Sequence, residues 1–180
     1  MTLTDIANVA LEDLSEKAIN SIDGEDSVSR KVKRKIFLTI DTVSARRNWV
    51  CLRKEINLTR KVGKSENGEY RYIRPNGLLN IIDSSAPYTQ VGDTIYSPAE
   101  SLYIKCTVKS YNPEEWDILF RNSVIAQLKY DIALSITGNA DIAQQMFQLS
   151  NMEIRRNMLD DAYNEKNRVV QKSATWYREI

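Results

Sequence analysis

Asn112-Pro113-Glu114-Glu115-Trp116-Asp117-Ile118-Leu119-Phe120 is the stretch that decides the fold. Asparagine caps helices well, proline suits a first helical position, and two carboxylates next to the positive end of the dipole are favourable, so a third helix is expected to open here. Downstream, Trp116, Leu119, Phe120, Val124, Leu128, Ile132 and Ile136 form one stripe, widened by Ile118, Ile125 and Ala133. Such a helix is buried on more than one side and belongs at the centre of a helical core. Thr137-Gly138-Asn139 ends it with glycine and at once caps a fourth helix carrying Ile142, Met146, Leu149, Leu159 and Tyr163.

Working towards the N-terminus, Leu3, Ile6, Val9, Ala10 and Leu14 predict a short amphipathic helix capped by Thr4 and running to about Lys17. Turn residues around Gly24 separate it from a second helix over about Ser27 to Arg47, with Val28, Val32, Ile36, Ile40 and Val43 as its apolar stripe. From Trp49 the period drops to two through Val50, Leu52, Ile56, Leu58 and Val62, and further strands are read at Tyr70 to Ile73, around Thr94 to Tyr96 and at Leu102 to Val108. Beyond Lys166 the pattern decays. The expected architecture is α+β, mainly α: a four-helix bundle over residues 3–48 and 112–166, a small antiparallel sheet inserted at 49–110, and an extended tail at 167–180, all in one domain over 1–180.

Composition narrows the chemistry. The 180 residues include no histidine, which removes His-dependent triads, imidazole bases and His-ligated metals. Cys51 and Cys106 stand far apart with no C-x-x-C spacing, read as buried thiols in a chain made in a reducing cytoplasm. The pairs Glu114-Glu115 and Asp160-Asp161 read as helix-terminal or exposed, and neighbours on a helix diverge too far to flank one bond. There is no P-loop, G-x-G-x-x-G or G-x-S-x-G pattern, no basic leader, and no run near the roughly 20 apolar residues of a membrane span. No catalytic residue, metal or cofactor is expected, and no enzymatic activity.

Charge is segregated: residues 1–29 carry a net −6, 30–64 a net +10 and 65–180 a net −3. The basic segment starts with Arg30, Lys31, Lys33, Arg34 and Lys35, continues through Arg46 and Arg47, and ends at Lys64. It suits phosphates or an acidic partner surface, and a basic face on one subunit can equally meet the acidic N-terminal segment of a neighbour. Val169, Val170, Trp176, Tyr177 and Arg178 form an aromatic C-terminal tail of the kind that docks on another chain.

Several motifs in their order are similar to the head-to-tail adaptor family of short-tailed bacteriophages, also called tail tubular protein A or gatekeeper. They are Ile19-Asn-Ser-Ile-Asp23, Ala45-Arg-Arg-Asn-Trp-Val-Cys-Leu-Arg53 with its Trp49, Tyr70-Arg-Tyr-Ile-Arg-Pro-Asn-Gly-Leu78, Ile95-Tyr96, Leu102-Tyr-Ile-Lys-Cys106, the Asn112 to Phe120 stretch with Pro113, Trp116 and Phe120, and Ile136-Thr-Gly138-Asn139. Asn112 stands where the family has Asp, and Ile118 where it has a second Pro. The strongly basic second helix is not a feature of that family. The resemblance implies a virion protein at the head-tail junction: a dodecameric ring between the portal protein and the tail nozzle (tail tubular protein B), with genomic DNA passing through its lumen, the tail docked on the portal and tail fibres resting outside. The helices would form the ring wall and the sheet would project outward or toward the tail. The alternative is a small nucleic-acid-binding regulator using Arg30 to Lys64.

Overall fold

The computed structural model describes residues 1–176, with side chains described as far as residue 166 apart from that of Val62. The chain divides into two compact units, one of Met1–Cys51 with Tyr111–Ile180 and the other of Leu52–Ser110.

In the helical unit, α1 spans Leu3–Glu12 and opens on a capping box in which Thr2 and Asp5 satisfy each other's backbone amides. The cap is therefore Thr2 rather than Thr4, and the helix is shorter than expected. The α2 helix spans Ser27–Ala45, where the Asp26 carboxylate accepts from the amides of Val28 and Ser29. Val32, Ile36, Ile40 and Val43 are fully buried along it, as the four-residue spacing requires. Pro113–Glu115 make only a 3-10 turn capped by Asn112, and the helix proper, α3 (Ile118–Thr137), starts after a second cap at Asp117, whose carboxylate accepts from Phe120 N–H at 2.9 Å. Trp116 has extended backbone between the two, so the expected single helix start is a turn followed by a helix. Gly138 ends α3 in the left-handed region at φ 67°, a conformation a Cβ disfavours. The last helix, α4, spans Ala140–Trp176.

The second unit holds seven strands: β1 (Arg53–Asn57), β2 (Arg60–Lys64), β3 (Tyr70–Ile73), β4 (Leu78–Ser84), β5 (Thr89–Val91), β6 (Thr94–Ser97) and β7 (Tyr103–Val108). They form two antiparallel sheets, ordered β1-β7-β4 and β2-β3-β6-β5. Leu78, Ile104 and Cys106 from the first and Tyr72 and Ile95 from the second share one core with Leu58 and Leu102.

These findings overturn the expected four-helix bundle with one small sheet and an extended tail. With about 50% helix and 20% strand, the described residues hold four α-helices, of which α1, α2 and α4 each pack on α3 rather than chiefly on one another. The period-two run from Trp49 is broken into a 3-10 turn at Val50–Leu52, then β1, then β2, and the two strands enter different sheets. Alternation cannot reveal that switch, because both sheets bury the same alternate residues against one core. At the switch, the Leu58 amide donates to the Leu102 carbonyl at 2.9 Å, and the chain leaves the first sheet for the second. The segment expected as tail is continuous with α4 as far as Trp176.

Candidate functional site

The structural motif residues meet in one aromatic cluster. Trp49, buried, donates its indole N–H to the Val43 carbonyl at 2.8 Å and stands edge-on to Phe120 with ring centres 5.4 Å apart. Trp116 meets Phe120 from another side at 5.1 Å, also edge-on, and Pro113 is buried. Edge-to-face rings add to the area they bury. The cluster ties the end of α2 to the start of α3.

The basic residues of α2 and of the turn that follows it divide into two groups. Arg46 donates to Gln127 Oε1 at 2.8 Å, and Gln127 in turn donates to Asp131, which also accepts from the Thr39 hydroxyl at 2.5 Å. Arg47 forms ion pairs with Asp161 at 2.7 Å and Glu165 at 3.3 Å, so both arginines lock α2 to its neighbours. Lys31 donates to the Ser135 carbonyl in the last turn of α3, a favourable place for a cation, and Lys33 pairs with Asp23 in the open. Arg30, Arg34 and Lys35 are exposed, and among the described residues their side chains have no such partner. The remaining cations of the basic segment, Arg53 to Lys64, lie in the other unit, where Arg60 and Lys64 approach the Tyr70 ring at 5.0 and 4.4 Å.

The α4 helix departs most from its sequence reading. Its face toward the rest of the unit carries Ser150, Ile154, Asn157 and Asp161, all buried and three of them polar. The Asn157 amide donates to the Ser123 hydroxyl at 3.2 Å, and Asp161, only 2% exposed, holds Arg47 and accepts from the Val50 amide at 3.4 Å. Of the residues expected as its apolar stripe, Ile142 and Met146 are half-buried and the others point outward: Leu149 is 52% exposed, Leu159 66% and Tyr163 67%, joined by Met152 at 61%. Asp161, expected at the surface, is thus a buried anchor. The signal for this was present as two parallel series on one helix, 150, 154, 157, 161 and 149, 152, 159, 163, each at helical spacing. Val169, Val170 and Trp176 lie in α4 with side chains outside the described residues, and Tyr177 and Arg178 lie outside the described residues altogether.

Neither thiol is set up as a nucleophile. Burial above all, together with the Asp117 and Asp161 carboxylates, pushes the Cys51 thiol up to about 12 against a backbone hydrogen bond from Asp117 that acts the other way. Cys51 lies in the 3-10 turn and not on a sheet, while Cys106 is buried in β7, where burial likewise raises its pKa. Folded protein at pH 8 is therefore expected to leave Cys51 unlabelled by iodoacetamide until it unfolds; complete labelling within minutes would contradict this. Because the folded pKa lies above the ordinary value of 9.0, the thiol's contribution to stability is full below pH 9 and is lost as the pH rises from there to about 12. Among the described residues no group of three or more His, Cys, Asp or Glu side chains could hold a metal ion, and no helix is long and apolar enough to cross a membrane.

Searched against known proteins, the chain matches no family model and no curated relative.

Proposed function

We propose that this chain is a structural subunit of a phage virion, a head-to-tail adaptor whose copies form a dodecameric ring between the portal protein and the tail nozzle, with DNA passing through the central channel. The observation that carries the reading is the outward apolar series of α4, Leu149, Met152, Leu159 and Tyr163, each more than half exposed. Exposed apolar groups arranged contiguously mark a surface meant for another chain. The helix keeps them outside while spending buried positions on polar anchors, an arrangement suited to assembly and of no use to an isolated monomer. The motif order from Ile19 to Asn139 supplies the identity of the assembly, and the aromatic end, Trp176 and Tyr177 with Val169, Val170 and Arg178, supplies its contact with the portal. The nucleic-acid regulator loses support, since Arg46 and Arg47 are engaged by Gln127 and by Asp161 with Glu165, and the rest of the basic segment is divided between two units.

Changing Leu159 to Gln together with Tyr163 to Ser tests the reading. The expected outcome is a stability change within about 0.5 kcal/mol, as for exposed sites generally, with loss of assembly onto the portal. Unimpaired assembly would remove the support that α4 gives.

A further inference from the structure

Two faces of the helical unit carry opposite charges that the chain leaves unmatched. On α2 the side opposite the buried residues presents Arg30, Arg34 and Leu38 at intervals of four, with Lys35 beside them. Leu38 is 60% exposed there, and the carboxylate on that side, Asp41, accepts from the Tyr111 hydroxyl at 2.7 Å. On α1, Ile6, Ala7, Ala10 and Leu11 face inward, which turns Val9 and Glu12 outward, and the half-buried Glu16 follows after the turn at Ser15 that closes the helix, its amide donating to the Leu11 carbonyl. Among the described residues neither Glu12 nor Glu16 has an ion-pair partner, whereas Asp13 is held by Lys129. Lys17 is the lone cation of the first 29 residues.

Each face is unsuited to meet a copy of itself, because like charges would oppose. Each suits the other: two cations and an exposed leucine against two carboxylates and an exposed valine. Since α1 and α2 both pack on α3 rather than chiefly on one another, the two faces are separate surfaces of one unit. Two different, mutually complementary surfaces on one chain make a head-to-tail contact, the type that closes into rings.

Resting on the ring reading above, we infer that the outer face of α2 in one copy docks on the outer face of α1 in the next, Arg30 and Arg34 pairing with Glu12 and Glu16 around contact between Leu38 and Val9. The charges set the direction of the contact and reject the α2-to-α2 and α1-to-α1 alternatives, while the apolar pair is taken out of water. This assigns a role to the basic start of α2 that needs no nucleic acid.

Two reversed chains test it: Arg30→Glu with Arg34→Glu, and Glu12→Lys with Glu16→Lys. Arg30, Arg34 and Glu12 are exposed and Glu16 is half-buried, none with an ion-pair partner among the described residues, so both chains are expected to fold, checked by helical circular dichroism. Self-association is followed by sedimentation velocity, alone and with the portal protein. Each reversed chain by itself is expected to associate about a hundredfold more weakly than wild type, and an equimolar mixture to recover, since each then offers the charge that the other's altered face requires. Recovery only in the mixture supports the contact. Wild-type association by either reversed chain alone, or a mixture that stays dissociated, overturns the contact and leaves the ring itself standing. A wild-type chain that stays monomeric even with the portal overturns the ring reading and this contact together.

Discussion

Phe120→Ala is expected to lower the unfolding free energy by about 4 kcal/mol, the middle of the range for a large aromatic removed from a closed core. Phe120 is buried between Trp49 and Trp116 and touches both edge-on, so its loss leaves two indoles facing a cavity that neither the end of α2 nor the start of α3 can collapse to fill. Trp49→Phe is milder: it keeps a ring beside Phe120 and removes one donor from the Val43 carbonyl, which still accepts from the Arg46 amide at 3.2 Å, a loss of about 1 kcal/mol. Urea denaturation of the three chains gives both numbers, provided the slope with denaturant is unchanged. A loss below about 1 kcal/mol for Phe120→Ala would mean that the cluster is not the joint between the helices.

The second large effect is at Asp161. Asp161→Ala is expected to cost about 2 kcal/mol, below the full penalty for a broken buried pair because Arg47 is part-exposed and retains a second carboxylate. Arg47 would keep Glu165 at 3.3 Å but lose the closer carboxylate, and the Val50 amide would lose its acceptor. Replacing both partners, Arg47→Met with Asp161→Leu, is expected to recover much of the loss, since apolar residues of similar size satisfy a buried site as well as an ion pair does. A double variant no better than the single one would show that the carboxylate acts through Val50 and not through Arg47.

What the sequence made legible follows from how many partners each element has. The α2 helix has one buried side and one solvent side, so its apolar spacing of four reported the core correctly. The wide stripe of α3 likewise announced a helix covered on several sides, and α3 is the one on which the others pack, although Ile118, expected to widen that stripe, is exposed. For α4 the same rule misled, because apolar spacing identifies a face that is to be covered without saying by what. Its side toward α3 and α2 is filled by Asn157 and Asp161, whose partners Ser123 and Arg47 lie 34 and 114 residues away. No local pattern announces such pairings; they become affordable only once the partner is in place. The division of the strands into two sheets was hidden for a related reason: Leu58 and Tyr72 show the same alternation whichever sheet they join. Of the candidate site, the cations Arg30 and Arg34, without ion-pair partners among the described residues, were legible as charge, while the engagement of Arg46 by Gln127 and of Arg47 by Asp161 was not, since all four stand in the same basic run.

The most direct test of the account is electron microscopy of this chain mixed with the portal protein that the proposed function requires, each component being imaged alone for comparison. The account predicts a closed ring seated coaxially on the portal, with α4 covered by protein along Leu149, Met152, Leu159 and Tyr163. A chain that remains monomeric and unbound at high concentration, with that face bare, would contradict it.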